Sequence, residues 1–141
     1  MDELLSRLKR LEENLRELER FQGTSLADLE DDRMVTWGLR YGLMESIQAV
    51  IDIACALVSR RNLGFPDSYA DCFRVLRRHD ILSEDLVDRL IRAVGMRNIL
   101  VHGYQEVDDA LVLDALNRLS DFRLFAEEIR SSVSSSGDEP E

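Results

Sequence analysis

The sequence predicts an all-α fold, an antiparallel bundle of about five helices. Apolar residues recur at helical spacing through long segments, and only two prolines and seven glycines interrupt them. The length of 141 residues and the apolar content of 45% suit one globular domain, large enough to bury a core without metals or disulfides. Each segment is therefore expected to be a helix that presents an apolar stripe to the others.

Residues 1–22 form the first predicted helix, an amphipathic one. Its leucines lie close to a heptad seam, with charged residues elsewhere: Leu4, Leu8, Leu11, Leu15 and Leu18. Gly23 and its neighbours end the helix. The helix either packs on the domain that follows, the interpretation we favour, or contacts a helix of another chain.

The predicted bundle domain spans residues 25–130. Ser25 is expected to cap a short acidic turn over residues 26–31. The next helix, 32–60, should be the central one, because its residues 47–58 are apolar on nearly all sides.

A polar face interrupts the central helix at Glu45, Gln48 and Asp52. Their spacing of three and four places them on one side of the helix. One interpretation is a solvated face. The other is that one of the two acids pairs with Arg97 in a partly buried site.

A loop over residues 61–66 leads to a shorter helix, which starts at Asp67 or Ser68 and ends near Arg78. His79 follows as an exposed residue at the C-terminal end of this helix. Four residues of the helix are expected to face inward: Tyr69, Cys72, Phe73 and Leu76.

The two cysteines, Cys55 and Cys72, lie inside helical patterns among apolar neighbours. We expect them to be buried free thiols, as in a reducing cytosol. No signal peptide is visible, since residues 1–21 are charged throughout, and the apolar run 47–58 is too short to span a bilayer. These features predict a soluble cytoplasmic protein with no membrane contact.

The next helix is predicted from Ser83, its N-cap, to Tyr104, and its pattern breaks in one place. One apolar stripe runs through Leu86, Leu90, Ala93 and Leu100, and a second through Val87, Ile91, Val94 and Val101. Arg97 falls on the first stripe and Asn98 on the second, where aliphatic residues are expected. Both polar groups cost desolvation there unless they are paired or line a cavity. This segment is therefore the candidate functional site.

The last helix is predicted to begin after Asp108 as its cap and to end near Arg130. Residues 131–141 are rich in serine and acidic residues, so this tail is expected to be disordered. The buried side of the last helix is expected at Val112, Leu116, Leu119, Phe122 and Ile129.

Around the break in the pattern, helical geometry relates the polar residues to one another. Asn98 and His102 are four apart and share a face, so the amide can orient the imidazole. Arg97 and His102 are about 140° apart round an ideal helix, so they would converge most easily if a second copy of the segment faced the first. Gly103 is expected to end the helix in the left-handed conformation, with Tyr104 directly after it.

These residue types suit cleavage of RNA without a metal ion. The reaction needs a base for the 2′-hydroxyl, an acid for the leaving 5′-oxygen and positive charge on the phosphorane. We assign His102 as general base or acid and Arg97 as phosphate clamp. Asn98 would orient His102 or donate to a phosphate oxygen. No cofactor and no metal-ligand cluster is expected from the sequence.

Arg97, Asn98, Val101, His102 and Tyr104 give the pattern R-N-x-x-V-H-x-Y, which resembles the signature of HepT-type toxins in the HEPN ribonuclease superfamily. The resemblance implies a HEPN-type bundle, a homodimer whose motifs meet in a cleft, and a toxin that is an RNA endonuclease. It also implies a partner, an MntA-like minimal nucleotidyltransferase antitoxin, which transfers AMP from ATP to Tyr104. The added phosphate charge and bulk beside His102 would repel RNA.

This resemblance covers roughly residues 26–129. The charge distribution of the chain affects whether it can bind RNA as the resemblance implies. The net charge of −10 argues against broad electrostatic binding to nucleic acid. Residues 33–104, however, contain ten arginines against eight acidic residues, whereas residues 1–32 and 105–141 are both strongly acidic. The middle of the chain is therefore expected to contact RNA locally, while the two ends repel it.

Two other functions stay open on the sequence alone. The first is a non-catalytic helical interaction module that binds a minimal nucleotidyltransferase, with or without a nucleotide in the cleft. The second is a plain helical scaffold. In the scaffold, Arg97 forms a structural ion pair, His102 caps a helix and Tyr104 is a packed aromatic residue.

Overall fold

The computed structural model describes residues 2–103 and 107–135, and within these ranges the chain is helical and contains no strand. The described helices are α1 (Asp2–Glu19), α2 (Leu26–Asp31), α3 (Arg33–Arg60), α4 (Tyr69–Arg78), α5 (Glu84–His102), α6 (Asp109–Leu116) and α7 (Leu119–Ser135). The predicted all-α bundle is confirmed. It has seven helices among these residues rather than about five, because α2 is a helix of its own and the predicted last helix is divided.

Helix α3 is the central element, as predicted. It contacts α1, α2, α4, α5 and α6, and eleven of its residues are buried. By length and mean hydropathy α3 would also suffice to cross a membrane, but half of its most apolar window is buried inside the bundle. Its apolar surface is thus used to a large extent against other helices, as in the core helix of a globular bundle.

Helix α1 packs on the domain, so the favoured interpretation of the leucine seam is confirmed. It lies against α3 and α7, and its five leucines join the same core cluster as the apolar residues of those helices. Leu8, Leu11 and Leu15 are at most 1% exposed. The first helix is therefore part of one continuous core with the bundle.

Replacing Leu11 with alanine should destabilise the whole bundle. The leucine is fully buried between helices, so its loss removes apolar burial and leaves a cavity, at a cost of about 2–5 kcal/mol in the free energy of unfolding. Urea unfolding followed by circular dichroism measures this. Lys9→Ala, an exposed change on the same helix, is the control and should alter stability by less than about 0.5 kcal/mol. A Leu11→Ala variant as stable as the control would show that α1 does not contribute to the core.

An ion pair links α1 to α7. Arg130 of α7 donates two hydrogen bonds, of 2.7 and 3.0 Å, to the carboxylate of Glu12 on α1. The hydrogen bond from Arg130 lowers the pKa of Glu12 below its usual 4.5. Because the folded pKa is the lower one, the stabilisation is present above the unfolded pKa and is lost as the pH falls through the folded pKa.

Glu12→Gln is therefore expected to lower the free energy of unfolding at pH 7 and to have no effect in acid, below the folded pKa of Glu12. The loss at pH 7 should stay under about 1 kcal/mol, because both side chains are at least a third exposed. Urea unfolding of both proteins across acidic and neutral pH tests this. Glu13→Gln, at an exposed position beside it, should show no such pH-dependent difference, and an equal difference would refute the assignment to the Arg130 contact.

The end of the chain differs from the prediction in two ways. The predicted last helix is broken at Asn117, because α6 packs on α2 and α3 whereas α7 packs on α1 and α5, so the chain must change direction between them. Helix α7 then continues to Ser135, beyond the predicted end near Arg130. Val133 is buried one turn after Ile129, and this contact holds the last turn that was expected to belong to a disordered tail.

Two of the three predicted N-caps are confirmed and one is different, and Ser68, one of the two predicted starts of its helix, is a further N-cap. Ser25 forms a capping box with Asp28, and the side chains of Ser68 and Asp108 cap α4 and α6. Ser83 precedes α5 as predicted, but its backbone N–H and its hydroxyl both donate to the Glu128 carboxylate, at 2.8 and 3.1 Å. A residue of α7 thereby fixes the start of α5.

The expectation of free thiols is wrong. Cys55 of α3 and Cys72 of α4 form a disulfide, with their Cα atoms 5.2 Å apart. That separation lies within the range a disulfide needs, and it arises because α3 and α4 pack against each other. The pairing depends on how two helices meet, so spacing along the chain did not reveal it.

Candidate functional site

Helix α5 carries Arg97, Asn98 and His102 in the half that is only partly covered by the bundle. Its residues Leu86, Val87 and Leu90 are buried, and beyond Leu90 no residue of the helix is. Ile99 is 41% exposed, and the aliphatic residues around it are only half-buried. The first half of the helix therefore anchors it, while the second half presents partly open apolar surface around the motif.

Arg97 is half-buried and held on two sides. Its Nε donates to Oε1 of Gln48 on α3 at 2.8 Å, and its Nη1 donates to Oδ1 of Asn98 at 3.1 Å. The guanidinium also lies over the ring of Tyr69, the first residue of α4, with 5.7 Å between its Cζ and the ring centroid. Elements α3, α4 and α5 thus converge on one cation.

No described carboxylate neutralises Arg97. Glu45 accepts from Arg10 at 3.2 Å, and Asp52 accepts from Nε2 of Gln48 at 2.9 Å. The alternative in which Arg97 forms a structural ion pair with Glu45 or Asp52 is therefore wrong. The residue of this polar face that reaches Arg97 is the neutral one between the two acids.

His102 is the last residue of α5, and its side chain is exposed. No hydrogen bond joins Asn98 to His102 among the described residues, and the amide oxygen of Asn98 accepts from Arg97. Within the described chain the structure thus brings Arg97 and Asn98 together and leaves His102 apart from them. Tyr104, the predicted modification site, lies outside the described residues.

Gly103 ends α5 as predicted, but in a right-handed conformation (φ −73°, ψ −21°) rather than a left-handed one. Its N–H donates to the Ile99 carbonyl at 2.7 Å. A Cβ at this position would lie 2.5 Å from that oxygen and 3.3 Å from a methyl group of Val107. Close approach, and not a positive φ, is the reason for glycine beside His102.

Several arginines of residues 33–104, the region expected to contact RNA locally, form ion pairs with acidic residues. Arg40 forms a bidentate ion pair with Asp109, with N–O distances of 2.8 and 2.9 Å. Arg74, Arg77 and Arg89 pair with neighbouring aspartates. These four arginines are therefore each paired with a carboxylate, whereas Arg97 bonds only to neutral groups.

Sequence reasoning missed two residues of the site. Tyr69 was expected to face inward, yet it is 43% exposed because it covers Arg97 rather than the core. Gln48 was noted only as part of a polar face. A groove of about 430 Å³ between α1 and α3 runs beside Gln48 and is also lined by Asn14 and Asp52. Among the described residues, no cluster of three or more histidine, cysteine or acidic side chains is placed to hold a metal ion.

Comparison with known proteins identifies relatives over most of the chain. The family model described as ribonuclease HepT-like matches residues 11–129. The mRNA nuclease HepT of Shewanella oneidensis is 37% identical over 90 residues, which are 63% of this chain and 68% of the relative. The tRNA nuclease HepT of Aphanizomenon flos-aquae is 28% identical over 130 residues, 89% of this chain and 86% of the relative.

Solved structures agree with the sequence relatives. A toxin–antitoxin complex with AMP-PNP matches with a TM-score of 0.84 at 26% identity, covering 93% of this chain and 99% of that one. A tri-AMPylated HEPN toxin of Shewanella oneidensis, in complex with its MNT antitoxin, matches equally well and covers 93% and 98%. YutE of Bacillus subtilis, at 18% identity and a TM-score of 0.85, shares the fold. The predicted membership and enzyme class are thus confirmed: the chain belongs to the HepT-like ribonuclease family, the HEPN ribonucleases to which these toxins are related.

Proposed function

We propose that the protein is the toxin of a toxin–antitoxin pair and cuts RNA internally without a metal ion. Arg97 binds the scissile phosphate and His102 transfers protons. A nucleotidyltransferase antitoxin holds the toxin inactive by adding AMP to Tyr104. The observation that carries the proposal is the state of Arg97, a half-buried cation held by neutral partners and by an aromatic ring, with no described carboxylate paired to it. A guanidinium fixed in this way is suited to bind a phosphate group.

The chemistry assigns a role to each side chain. One histidine takes the proton from the 2′-hydroxyl, which attacks the neighbouring phosphorus, and a histidine returns a proton to the leaving 5′-oxygen. Arg97 stabilises the charge that develops on the phosphorane oxygens. Asn98, bonded to Arg97 rather than to His102, would steady the guanidinium or donate to a phosphate oxygen.

A homodimer would complete the site. Arg97 and His102 do not meet within one chain, and the half of α5 that bears them leaves aliphatic surface partly open. Two copies packed by this surface would cover it and place two arginines and two histidines across one cleft. RNA entering such a cleft would meet the motif cations, while the acidic remainder of the surface would repel RNA elsewhere.

The antitoxin part of the proposal is supported by relatives. Solved relatives are described as toxin–antitoxin complexes, and one of them as a tri-AMPylated toxin bound to an MNT antitoxin. Tyr104 follows His102 by two residues, so AMP on its hydroxyl would bring negative charge and bulk next to the reacting phosphate. In this scheme both proteins act in the cytoplasm, where their RNA and ATP are found.

The second candidate function is a non-catalytic module that binds the nucleotidyltransferase. The exposure of His102 without any described partner favours it, since a catalytic histidine is usually oriented by a neighbour. The deciding test is RNA cleavage by the purified protein in the presence of a chelator. Cleavage that persists in the chelator and is lost in His102→Ala supports the nuclease. Equal activity of variant and wild type, or none in either, would favour the binding module.

A further inference from the structure

We propose that Gln48 is the positioning residue for Arg97. Its neutral amide holds the guanidinium in place and keeps the carboxylate of Asp52 from neutralising it. The inference rests on the proposed function, in which Arg97 binds a phosphate group of RNA.

Gln48 lies between a carboxylate and a guanidinium and bonds to both. Its Oε1 accepts from Nε of Arg97 at 2.8 Å, and its Nε2 donates to Oδ1 of Asp52 at 2.9 Å. An ionised carboxylate only accepts and a guanidinium only donates, so these two neighbours fix which way the amide faces. A glutamate or a lysine at this position would serve only one of them. The amide therefore links Asp52 to Arg97 while separating their charges.

Arg40 shows what happens when an arginine of this protein meets an acid directly. Its Nε and Nη2 both donate to the carboxylate of Asp109, at 2.8 and 2.9 Å, so one edge of its guanidinium is occupied. Arg97 instead bonds to two neutral oxygens, from Gln48 and Asn98, through one N–H each. Its charge is thus uncompensated within the described chain, and its other N–H groups remain for a phosphate.

Tyr69 completes the positioning. Gln48 fixes the Nε edge of the guanidinium, and the Tyr69 ring supports its face at 5.7 Å from Cζ. Gln48 lies on α3 and Tyr69 on α4, the two helices that the Cys55–Cys72 disulfide also joins. Arg97 is thereby oriented before substrate arrives, so the ordering that RNA must impose on it is reduced.

The decisive change is Gln48→Glu, which places a carboxylate within reach of Arg97. We expect the new ion pair to leave the fold intact and to lower kcat/KM for RNA by about 10- to 100-fold, as for the loss of one charged hydrogen bond. The second readout is binding of single-stranded DNA of the substrate's sequence, which lacks the 2′-hydroxyl and is not cut. The slope of log binding constant against log salt concentration for this DNA should become shallower by about 0.7, which is the contribution of one phosphate contact. A purely structural Gln48 would leave this slope unchanged.

Two further variants make the result decisive. Asn14→Asp adds the same charge to the same groove from α1, without a contact to Arg97, and should keep both activity and salt slope. Gln48→Met keeps the side-chain length but bonds to neither neighbour. It should lower kcat, because Arg97 is then no longer oriented. This variant also decides the matter if Gln48→Glu does not fold, since wild-type activity in Gln48→Met overturns the inference.

Failure of the inference is distinguishable from failure of the proposed function. If Arg97→Ala cuts RNA as well as the wild type does, the proposed function is wrong whatever Gln48 does. If Arg97→Ala is inactive while Gln48→Glu keeps wild-type activity and salt slope, Gln48 is not the positioning residue. Thermal unfolding of every variant identifies any loss of activity that follows from loss of fold.

Discussion

His102→Ala is expected to lower the rate of RNA cleavage by about 10²–10⁴-fold, the contribution of a positioned general acid or base. The histidine lies at the exposed end of α5, so its removal should leave the bundle and its stability unchanged. Initial rates on a fluorescently labelled RNA in a chelating buffer measure the effect, and thermal unfolding measures the stability.

His79→Ala is the matched control, because it removes the other histidine of the chain. His79 is the exposed C-cap of α4, where its favourable contact is with the helix dipole. It should therefore keep full activity. If His79→Ala lost activity while His102→Ala kept it, the catalytic assignment would be overturned.

A mixture of variants tests how the two copies of the proposed homodimer share the site. If the arginine comes from one protomer and the histidine from the other, a mixed dimer of Arg97→Ala and His102→Ala contains one intact site and regains activity. If both residues act within one protomer, every site in the mixture lacks a group and activity stays lost. Refolding the two variants together, with each alone as control, distinguishes these arrangements.

The elements that were predicted correctly are those determined by local pattern. The leucine seam of α1 and the apolar residues on nearly all sides of α3 both predict helices. Burying these apolar surfaces stabilises a helix in any helical bundle. The break at Asn117 contains no proline or glycine and follows from the different neighbours of α6 and α7. The Cys55–Cys72 bond likewise depends on the packing of α3 against α4. Packing between elements decides both features.

The residues of the candidate site likewise fall into those that local sequence pattern reveals and those that only packing between helices reveals. Arg97 and Asn98 could be found because polar residues there interrupt apolar stripes, and that signal lies within one helix. Gln48 is on another helix, 49 residues earlier in the chain, and looks the same in sequence as the solvated residues beside it. Only the packing of α3 against α5 selects Gln48 over Glu45 and Asp52. Because the selected residue is the neutral one, Arg97 has no carboxylate partner among the described residues, as its proposed contact with a phosphate requires.

Coexpression with an MntA-type nucleotidyltransferase is expected to add AMP to Tyr104 and to abolish RNA cleavage. One or more AMP groups two residues after His102 would place phosphate charge in the path of the scissile phosphate and fill the space it needs. Intact mass of the protein expressed alone and with the antitoxin, followed by peptide mapping, locates the addition. Cleavage assays on the same two samples measure the inhibition.

Tyr104→Phe should gain no mass and should stay active and toxic in the presence of the antitoxin, because the hydroxyl that accepts AMP is gone. Tyr41→Phe is the control, since Tyr41 is a 60% exposed tyrosine of α3 outside the motif, and it should be modified and inhibited like the wild type. An unmodified protein that still forms a stable, inactive complex with the antitoxin would contradict this scheme. Neutralisation would then act by covering the cleft, and the acidic surface of the toxin would be the first place to look for the contact.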